Sequence, residues 1–280
     1  MKIRVPILLP VLLLMADSPC SAESFAAAGP AAASPAQVAS QAGVSPGGPW
    51  QDLLPNGRPS GFARIGENMT LCSDVHLRPD SRELSGEPGV GVIAALKALH
   101  SGDANNLLSK ASFGDCEVSL EFLIGKGSNS GVKLQERYEV QLYDSHGKSK
   151  PAATDCGGVY PHWVVRKNGR GIRYIDKGIP PLENAAKPAG EWQSLQVLFQ
   201  APRFDSEGRK TANARFVSVK LNDHVVQQDV ELESPTGNSS TPLPEVAAAP
   251  LYLQMDHGPV AFRKVRVRPL DYSARTTAVE

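Results

Sequence analysis

The stretch KLQERYEVQLYDS, Lys133 to Ser145, alternates with a period of two. Val132, Leu134, Tyr138, Val140 and Leu142 fall on one side, interrupted only by Glu136, while Lys133, Gln135, Arg137, Glu139, Gln141 and Tyr143 fall on the other. That period is the mark of a β-strand with one buried face, so the stretch is expected to form one strand in the middle of a curved sheet. Its polar side carries amides and both charge signs rather than the Thr, Ser and Lys of an ordinary solvated strand. Such a face suits a concave groove that meets the many hydroxyls of a sugar; a plain solvated outer face is the alternative.

Working outward, the same alternation recurs between turn signals. CEVSLEFLI (Cys116 to Ile124) points Val118, Leu120, Phe122 and Ile124 to one side and is followed by the turn GKGSNSG. Further strands are expected in EWQSLQVLFQAP (Glu191 to Pro202), ARFVSVKLNDHVVQQDVEL (Ala214 to Leu232) and PLYLQMDHGPVAFRKVRVRPL (Pro250 to Leu270), with a hairpin at Asn222-Asp223. GVGVIAALKALHSG is ambiguous: its Ala, Leu and Lys content suits a short helix, but it lacks a cap and opens on Gly89 and Gly91, which favours a strand over Val90 to Ala94. Long Gly- and Pro-rich loops run from Ser145 to Gly190 and from Ser234 to Pro250, and no internal repeat is present. These elements add up to an all-β sandwich with one polar, concave sheet face.

The ends have different characters. Lys2 and Arg4 precede the apolar run Val5 to Met15, and the small residues Cys20 to Ala22 offer a cleavage point, so residues 1–22 read as a secretory signal peptide. Lipid attachment at Cys20 is the lesser alternative, because Asp-Ser-Pro precedes it. Residues 23–49 are Ala, Pro, Ser and Gly with almost no large side chains and read as a mobile tether. The folded domain is expected over residues 50–270, with a tail at 271–280. The protein is therefore read as exported, periplasmic or extracellular, with no membrane span. Of 29 basic and 29 acidic residues, 27 and 28 remain once Lys2, Arg4 and Asp17 are removed. This near-neutral balance lacks the basic stripe that nucleic acid requires. Cys72, Cys116 and Cys156 remain after the signal, and an odd count in an exported chain suggests one disulfide, pairing open, and one buried thiol. Their spacing matches no zinc site.

Hydrolysis of an ordinary glycoside uses two carboxylates facing each other across the bond. The strand does not offer them: Gln141 stands where a Glu-x-Asp pair would place its second acid, and Asp144 has the wrong parity. Glu139 alone could act as a general base, with Arg137 beside it to keep it ionised or to stabilise an oxyanion. In LQMDHGPVAF, Gln254 and Asp256 share parity and His257 lies at a Gly258-Pro259 turn, which makes His257 the histidine best suited to proton transfer or metal binding. A structural or merely exposed histidine is the alternative. Tyr160, His162 and Trp163 lie in a Gly-rich loop and could stack on a sugar ring or simply pack the loop. His76, His100, His146 and His224 have no evident partners.

Five separated blocks together resemble the 3-keto-disaccharide hydrolase family. They are NLLSKASFGDCEVSLEFLIGKGSNSGVKLQERYEVQLYDS, DCGGVYP, GEWQSLQVLFQAPRFD, TANARFVSVKLNDHVV and LYLQMDHGPVAFRKVRVRPL, and the resemblance as a whole covers roughly Leu53 to Leu270. Within them Asn129-Ser130-Gly131, Tyr138-Glu139, Gln141, Asp144, Gly158, Tyr160, Gly190-Glu191-Trp192, Leu253-Gln254, His257, Phe262-Arg263 and Pro269-Leu270 fall where the family pattern expects them. Lys264 replaces a usual Asn and Asp223 a common Gly. The resemblance implies a concanavalin A-like jelly roll and a substrate glycoside oxidised to a ketone at its third carbon. A ketone acidifies the neighbouring C2 proton, so a single base suffices; elimination and rehydration give net hydrolysis, and elimination alone makes a lyase. On this resemblance Glu139 or His257 is the expected base, Arg137 or a divalent metal ion stabilises the enolate, and Asp144 or Asp256 supports them or ligates the metal, with Glu139, Asp256 and His257 as candidate ligands. Gln135, Gln141, Tyr160, Trp163, Gln254 and Asn129 are expected to bind the sugar. A non-catalytic carbohydrate-binding jelly roll and a purely structural exported protein are the competing readings.

Overall fold

Alternation fixes which side of each long strand faces inward, and the inward sides meet between two antiparallel sheets. The computed structural model describes residues 44–98, 105–167, 169–236 and 243–272. In chain order its strands are β1 (Ser45–Pro46), β2 (Gln51–Asp52), β3 (Phe62–Arg64), β4 (Met69–Leu77), β5 (Leu84–Ala95), β6 (Leu107–Phe113), β7 (Cys116–Ile124), β8 (Asn129–Leu134) and β9 (Tyr138–Tyr143). There follow β10 (Trp163–Val165), β11 (Ile172–Tyr174), β12 (Gln193–Gln200), β13 (Arg203–Phe204), β14 (Lys210–Ala212), β15 (Ala214–Leu221), β16 (His224–Leu232), β17 (Ala249–Leu253) and β18 (Val260–Asp271). One sheet runs β16-β15-β12-β7-β18-β5-β4, with β1 and β2 also pairing with β18; the other is five-stranded, β3-β6-β17-β8-β9. The fold is an all-β jelly-roll sandwich.

Phe122, Phe199, Phe216 and Phe262 of the larger sheet are fully buried against Val132, Leu134, Tyr138, Val140, Leu251 and Leu253 of the smaller one. The rings of Tyr138 and Phe199 lie 5.4 Å apart, and those of Phe199 and Phe216 5.9 Å. Burial of each such side chain contributes about 1.5–3 kcal/mol. Val90 to Ala94 of the ambiguous glycine-led run lie in β5, as expected, and Asn222-Asp223 forms the expected two-residue hairpin with both residues at positive φ (52° and 67°).

Three expectations change. Lys133 to Ser145 is not one strand: β8 ends at Leu134 and β9 begins at Tyr138, with Gln135 and Glu136 at φ 55° and 61° in the turn between them. Leu134 pairs with Tyr138 and Lys133 with Glu139, so residues on one side of the turn face the same way as those of equal parity beyond it. A period-two reading passes through such a turn without a break. Second, among the described residues there is no disulfide: Cys72, Cys116 and Cys156 are separate buried thiols, Cys116 and Cys156 in the main core and Cys72 in a smaller cluster with Val75, Leu84 and Leu123. Each is packed among apolar neighbours, and burial pushes the Cys156 thiol up to about 12. Third, residues at the end of the expected tether belong to the sandwich, since Ser45–Pro46 pairs with the end of β18. The expected signal peptide, most of the tether, most of the tail and His100 lie outside the described residues. Among the described residues no helix is long and apolar enough to cross a membrane.

Candidate active site

Strand register builds the site on the face of the five-stranded sheet that points away from the core. Arg64 pairs with Leu108, Leu108 with Tyr252, Tyr252 with Lys133, and Lys133 with Glu139, giving one row of side chains on one face. The next row, Leu107, Leu253, Val132 and Val140, points into the core. The Lys133 ammonium sits 5.2 Å from the centre of the Tyr252 ring, which Arg64 approaches at 5.9 Å. The same ammonium is 3.6 Å from the Glu139 carboxylate. Glu139 is 3% exposed, although it lies on the outward face. It reaches this depth because the adjacent strand offers Gly131: a Cβ there would lie 2.9 Å from Glu139 Cδ, so any larger residue would displace the carboxylate. Burial raises the Glu139 pKa, Asp256 adds to the rise, and Lys133 and His257 counter it.

The second part of the site is the turn between β17 and β18, anchored to the start of β8. Gln254 N–H donates to Gly131 O at 2.9 Å, Ser130 Oγ donates to Gln254 O at 2.7 Å, and Asn129 N–H donates to His257 O at 3.4 Å. Behind it, Asn106 Oδ1 accepts from Met255 N–H at 2.6 Å. This frame holds His257 Nδ1 2.6 Å from Asp256 Oδ1, with the carboxylate 5% and the imidazole 44% exposed. The Gln254 amide lies 3.2 Å from the same ring nitrogen. Because Nδ1 faces a carboxylate, it carries a hydrogen, which leaves Nε2 as the nitrogen that gains and loses a proton. The hydrogen bond to Asp256 raises the His257 pKa; burial opposes it, Glu139 reinforces it and Lys133 weakens it. Glu139, Lys133, Asp256 and His257 therefore form one electrostatically connected group.

The loop after β9 closes the edge. Val159 bridges to Val140, Gln141 N–H donates to Gly158 O at 2.9 Å, and Tyr160 N–H donates to Glu139 O at 3.3 Å. Tyr160 is half-buried, with its hydroxyl 3.1 Å from that of Tyr174. Its pKa is raised by burial, then by the Tyr174 hydrogen bond and the Glu139 charge, so it stays a neutral hydroxyl that can donate or accept.

Of the residues expected from sequence, the structure thus gathers Glu139, Asp256, His257, Gln254 and Tyr160. Gln141 and Asn129 flank them, bonded to one another by Nε2 to Oδ1 at 3.0 Å. Arg137 is elsewhere. It lies beyond the turn, where its guanidinium donates to Pro244 O and Gln135 O at 2.6 Å each, and it fastens the hairpin tip to the loop before β17. Gln135 does the same through Phe113 O and Ala247 O. Asp144 follows β9, and its carboxylate accepts from Gly127 N–H at 2.8 Å, a turn contact. Trp163 stands on the two-stranded arm β10-β11, opposite Tyr174. His76, His146 and His224 do have partners, Asp74 and Glu87, Ala186 O, and Glu183, all at other places on the molecule. As for a metal, Glu139 is matched by an ammonium and Asp256 by an imidazole N–H, and among the described residues no three His, Cys, Asp or Glu are grouped to hold an ion. This donor set does not fit a metal centre.

A family model described as a 3-keto-alpha-glucoside-1,2-lyase-like domain matches residues 80–268, which include every member of the charged group. The chain belongs to this family. No curated protein matches it significantly. Among solved structures it is similar to a candidate glycosyl hydrolase from Parabacteroides distasonis, with 22% identity over 81% of this chain and 90% of that one and a TM-score of 0.49. A second candidate glycosyl hydrolase from the same organism is 17% identical over 79% of this chain and 100% of the other, also with a TM-score of 0.49.

In this member of the 3-keto-alpha-glucoside-1,2-lyase-like family, sequence reasoning missed Lys133, Tyr174 and Tyr252 as site residues. Lys133 was visible on the polar face, but its pairing with Glu139 requires the hairpin, since in a single strand the two would stand about 20 Å apart. Tyr252 belongs to the row only through the β17-β8 register, for which no local signal exists.

Proposed function

We propose that the protein cleaves glycosides whose sugar carries a ketone at C3, by proton abstraction, elimination and rehydration. The observation that carries this reading is a buried carboxylate, Glu139, 3.6 Å from the Lys133 ammonium and under the electrostatic influence of the Asp256–His257 pair. A carboxylate with a cation beside it, and a second carboxylate, Asp256, engaged by a protonatable imidazole, supply the base, the enolate partner and the leaving-group acid that this chemistry needs.

In the proposed sequence the Glu139 carboxylate takes the C2 proton, and the electron pair moves onto the ketone oxygen as an enolate stabilised by Lys133. The enolate re-forms the ketone and passes its pair into a C1–C2 double bond as the C1–O bond breaks. His257, protonated, gives its proton to the departing oxygen. Water then adds across the double bond, hydroxyl to C1 and proton to C2, and returns His257 and Glu139 to their starting states. If the unsaturated ketone leaves before water adds, the enzyme is a lyase. Tyr160 and Gln254 border this space and would position the sugar hydroxyls. The leader expected at residues 1–22 would put the chemistry outside the cytoplasm.

The test is release of a chromogenic leaving group from a 3-keto-glucoside and from the unoxidised glucoside, with a chelator arm reporting separately on any divalent ion. Release from the keto substrate alone supports elimination. Binding without release moves the protein to the carbohydrate-binding reading.

A further inference from the structure

The arm β10-β11 projects from the loop that carries Tyr160 and exposes an unusual amount of apolar surface. Trp163 pairs with Tyr174 and Val165 with Ile172, so these four side chains share one face of the arm. Val165 and Ile172 are each 38% exposed, Tyr174 is 46% and the next residue, Ile175, is 48%. An isolated exposed Val or Ile is ordinary, but a contiguous apolar face on a two-stranded arm has no partner among the described residues to account for it. The face has a fixed place relative to the chemistry: the Tyr174 hydroxyl meets the Tyr160 hydroxyl at 3.1 Å, the two rings pack edge to face 6.3 Å apart, and Tyr160 is hydrogen-bonded through its backbone to Glu139. The apolar surface therefore begins at Tyr174, in contact with Tyr160, the residue whose backbone pairs with that of Glu139. Val165 and Ile172 offer nothing to the hydroxyls of a second sugar in the leaving-group position, whereas an apolar ring or alkyl group would bury carbon against carbon there.

Resting on the function proposed above, we propose that the β10-β11 arm is the leaving-group subsite and that the preferred substrates are 3-keto-glycosides of apolar alcohols rather than of a second sugar. The polar row around Glu139 holds the oxidised sugar, and Val165, Ile172, Trp163 and Tyr174 take the aglycone. Specificity for the leaving group then depends on the arm and chemistry does not.

The test compares 3-keto-glucosides of cyclohexylmethanol and of glucose, whose leaving alkoxides are both aliphatic, with wild-type protein and with the double variant Val165→Ser/Ile172→Ser. Both positions are on the surface, so an unchanged melting temperature is expected. The double variant should raise KM for the cyclohexylmethyl substrate about tenfold, with kcat unchanged and both constants for the glucosyl substrate unchanged. Equal effects on both substrates, or none on either, overturn the inference. So does an arm that proves to be a contact between copies or with anionic vesicles, lost in the double variant while both KM values stay the same. Calorimetric binding of the two ligands to Glu139→Gln keeps the outcomes separable. No turnover of any keto-glycoside refutes the catalytic reading, while loss of the binding preference on Val165→Ser/Ile172→Ser upholds the subsite; no binding of either ligand refutes the subsite too.

Discussion

At the scale of single residues, the account depends on two groups pushed in the same direction for different reasons. Glu139 is raised above its ordinary 4.5 mainly by burial, and His257 above its ordinary 6.5 mainly by its bond to Asp256. For stability the sign is the same. Folded protein holds the Glu139 proton more tightly than the unfolded chain does, so this carboxylate costs stability as pH rises from 4.5 through its folded value. His257 contributes stability in full below 6.5 and loses it as pH climbs through its own folded value. For activity, kcat/KM should be bell-shaped, rising as Glu139 ionises and falling as His257 loses its proton. Asp256→Asn should move the descending limb to lower pH, because it removes the main cause of the raised imidazole; a limb that stays in place would deny His257 the role of acid. Gly131→Ala tests the space beside the base. Its Cβ would force Glu139 out of position, lowering kcat sharply and stability by about 1–3 kcal/mol, measurable by kinetics and thermal melting together. Full activity in that variant would show that the carboxylate need not sit where it does.

At the scale of elements, the turns decide what could be seen in advance. The Asn222-Asp223 hairpin was legible because turn chemistry and alternation agreed, and both residues occupy the left-handed region. Asp223→Gly should therefore stabilise the protein by about 0.5–1 kcal/mol and raise Tm by about 1–4 °C; a fall in Tm would mean that the Asp223 side chain matters to the folded state. The turn at Gln135-Glu136 was not legible. Neither residue announces a turn, and the hairpin conserves parity, so the alternation of β8 runs into β9 without a phase change. The buried and outward faces were consequently assigned correctly while the pairing of Lys133 with Glu139 was missed. Arg137 was misplaced for the same reason: alternation put it beside Glu139, whereas the turn carries it to the hairpin tip and the Pro244 carbonyl. The Asp256-His257 turn was found because Gly258-Pro259 breaks a strong strand pattern beside two titratable residues.

At the scale of the whole molecule, the sandwich and most of its strands followed from period-two patterning, but the order of strands within the sheets did not. Tyr252 joins the site through pairing between segments more than a hundred residues apart, and a single sequence carries no local signal for that. The three cysteines follow the same lesson. Count and expected export suggested a bond, yet each thiol is surrounded by core side chains. Cys72, Cys116 and Cys156 should resist a thiol reagent in the native protein and react only after unfolding, and reducing agent should leave Tm unchanged. A Tm lowered by reductant would reveal a bond that holds the fold.

The central claim is that cleavage begins with removal of the proton on C2 by Glu139. Its most direct test is to compare how fast wild-type protein and Glu139→Gln cleave a 3-keto-glucoside that carries hydrogen or deuterium at C2. The account predicts that deuterium at C2 slows cleavage by wild-type protein severalfold, and that Glu139→Gln loses about 10²–10⁴-fold of the cleavage rate. Cleavage by wild-type protein at the same rate with hydrogen or deuterium at C2, or undiminished cleavage by Glu139→Gln, would contradict it.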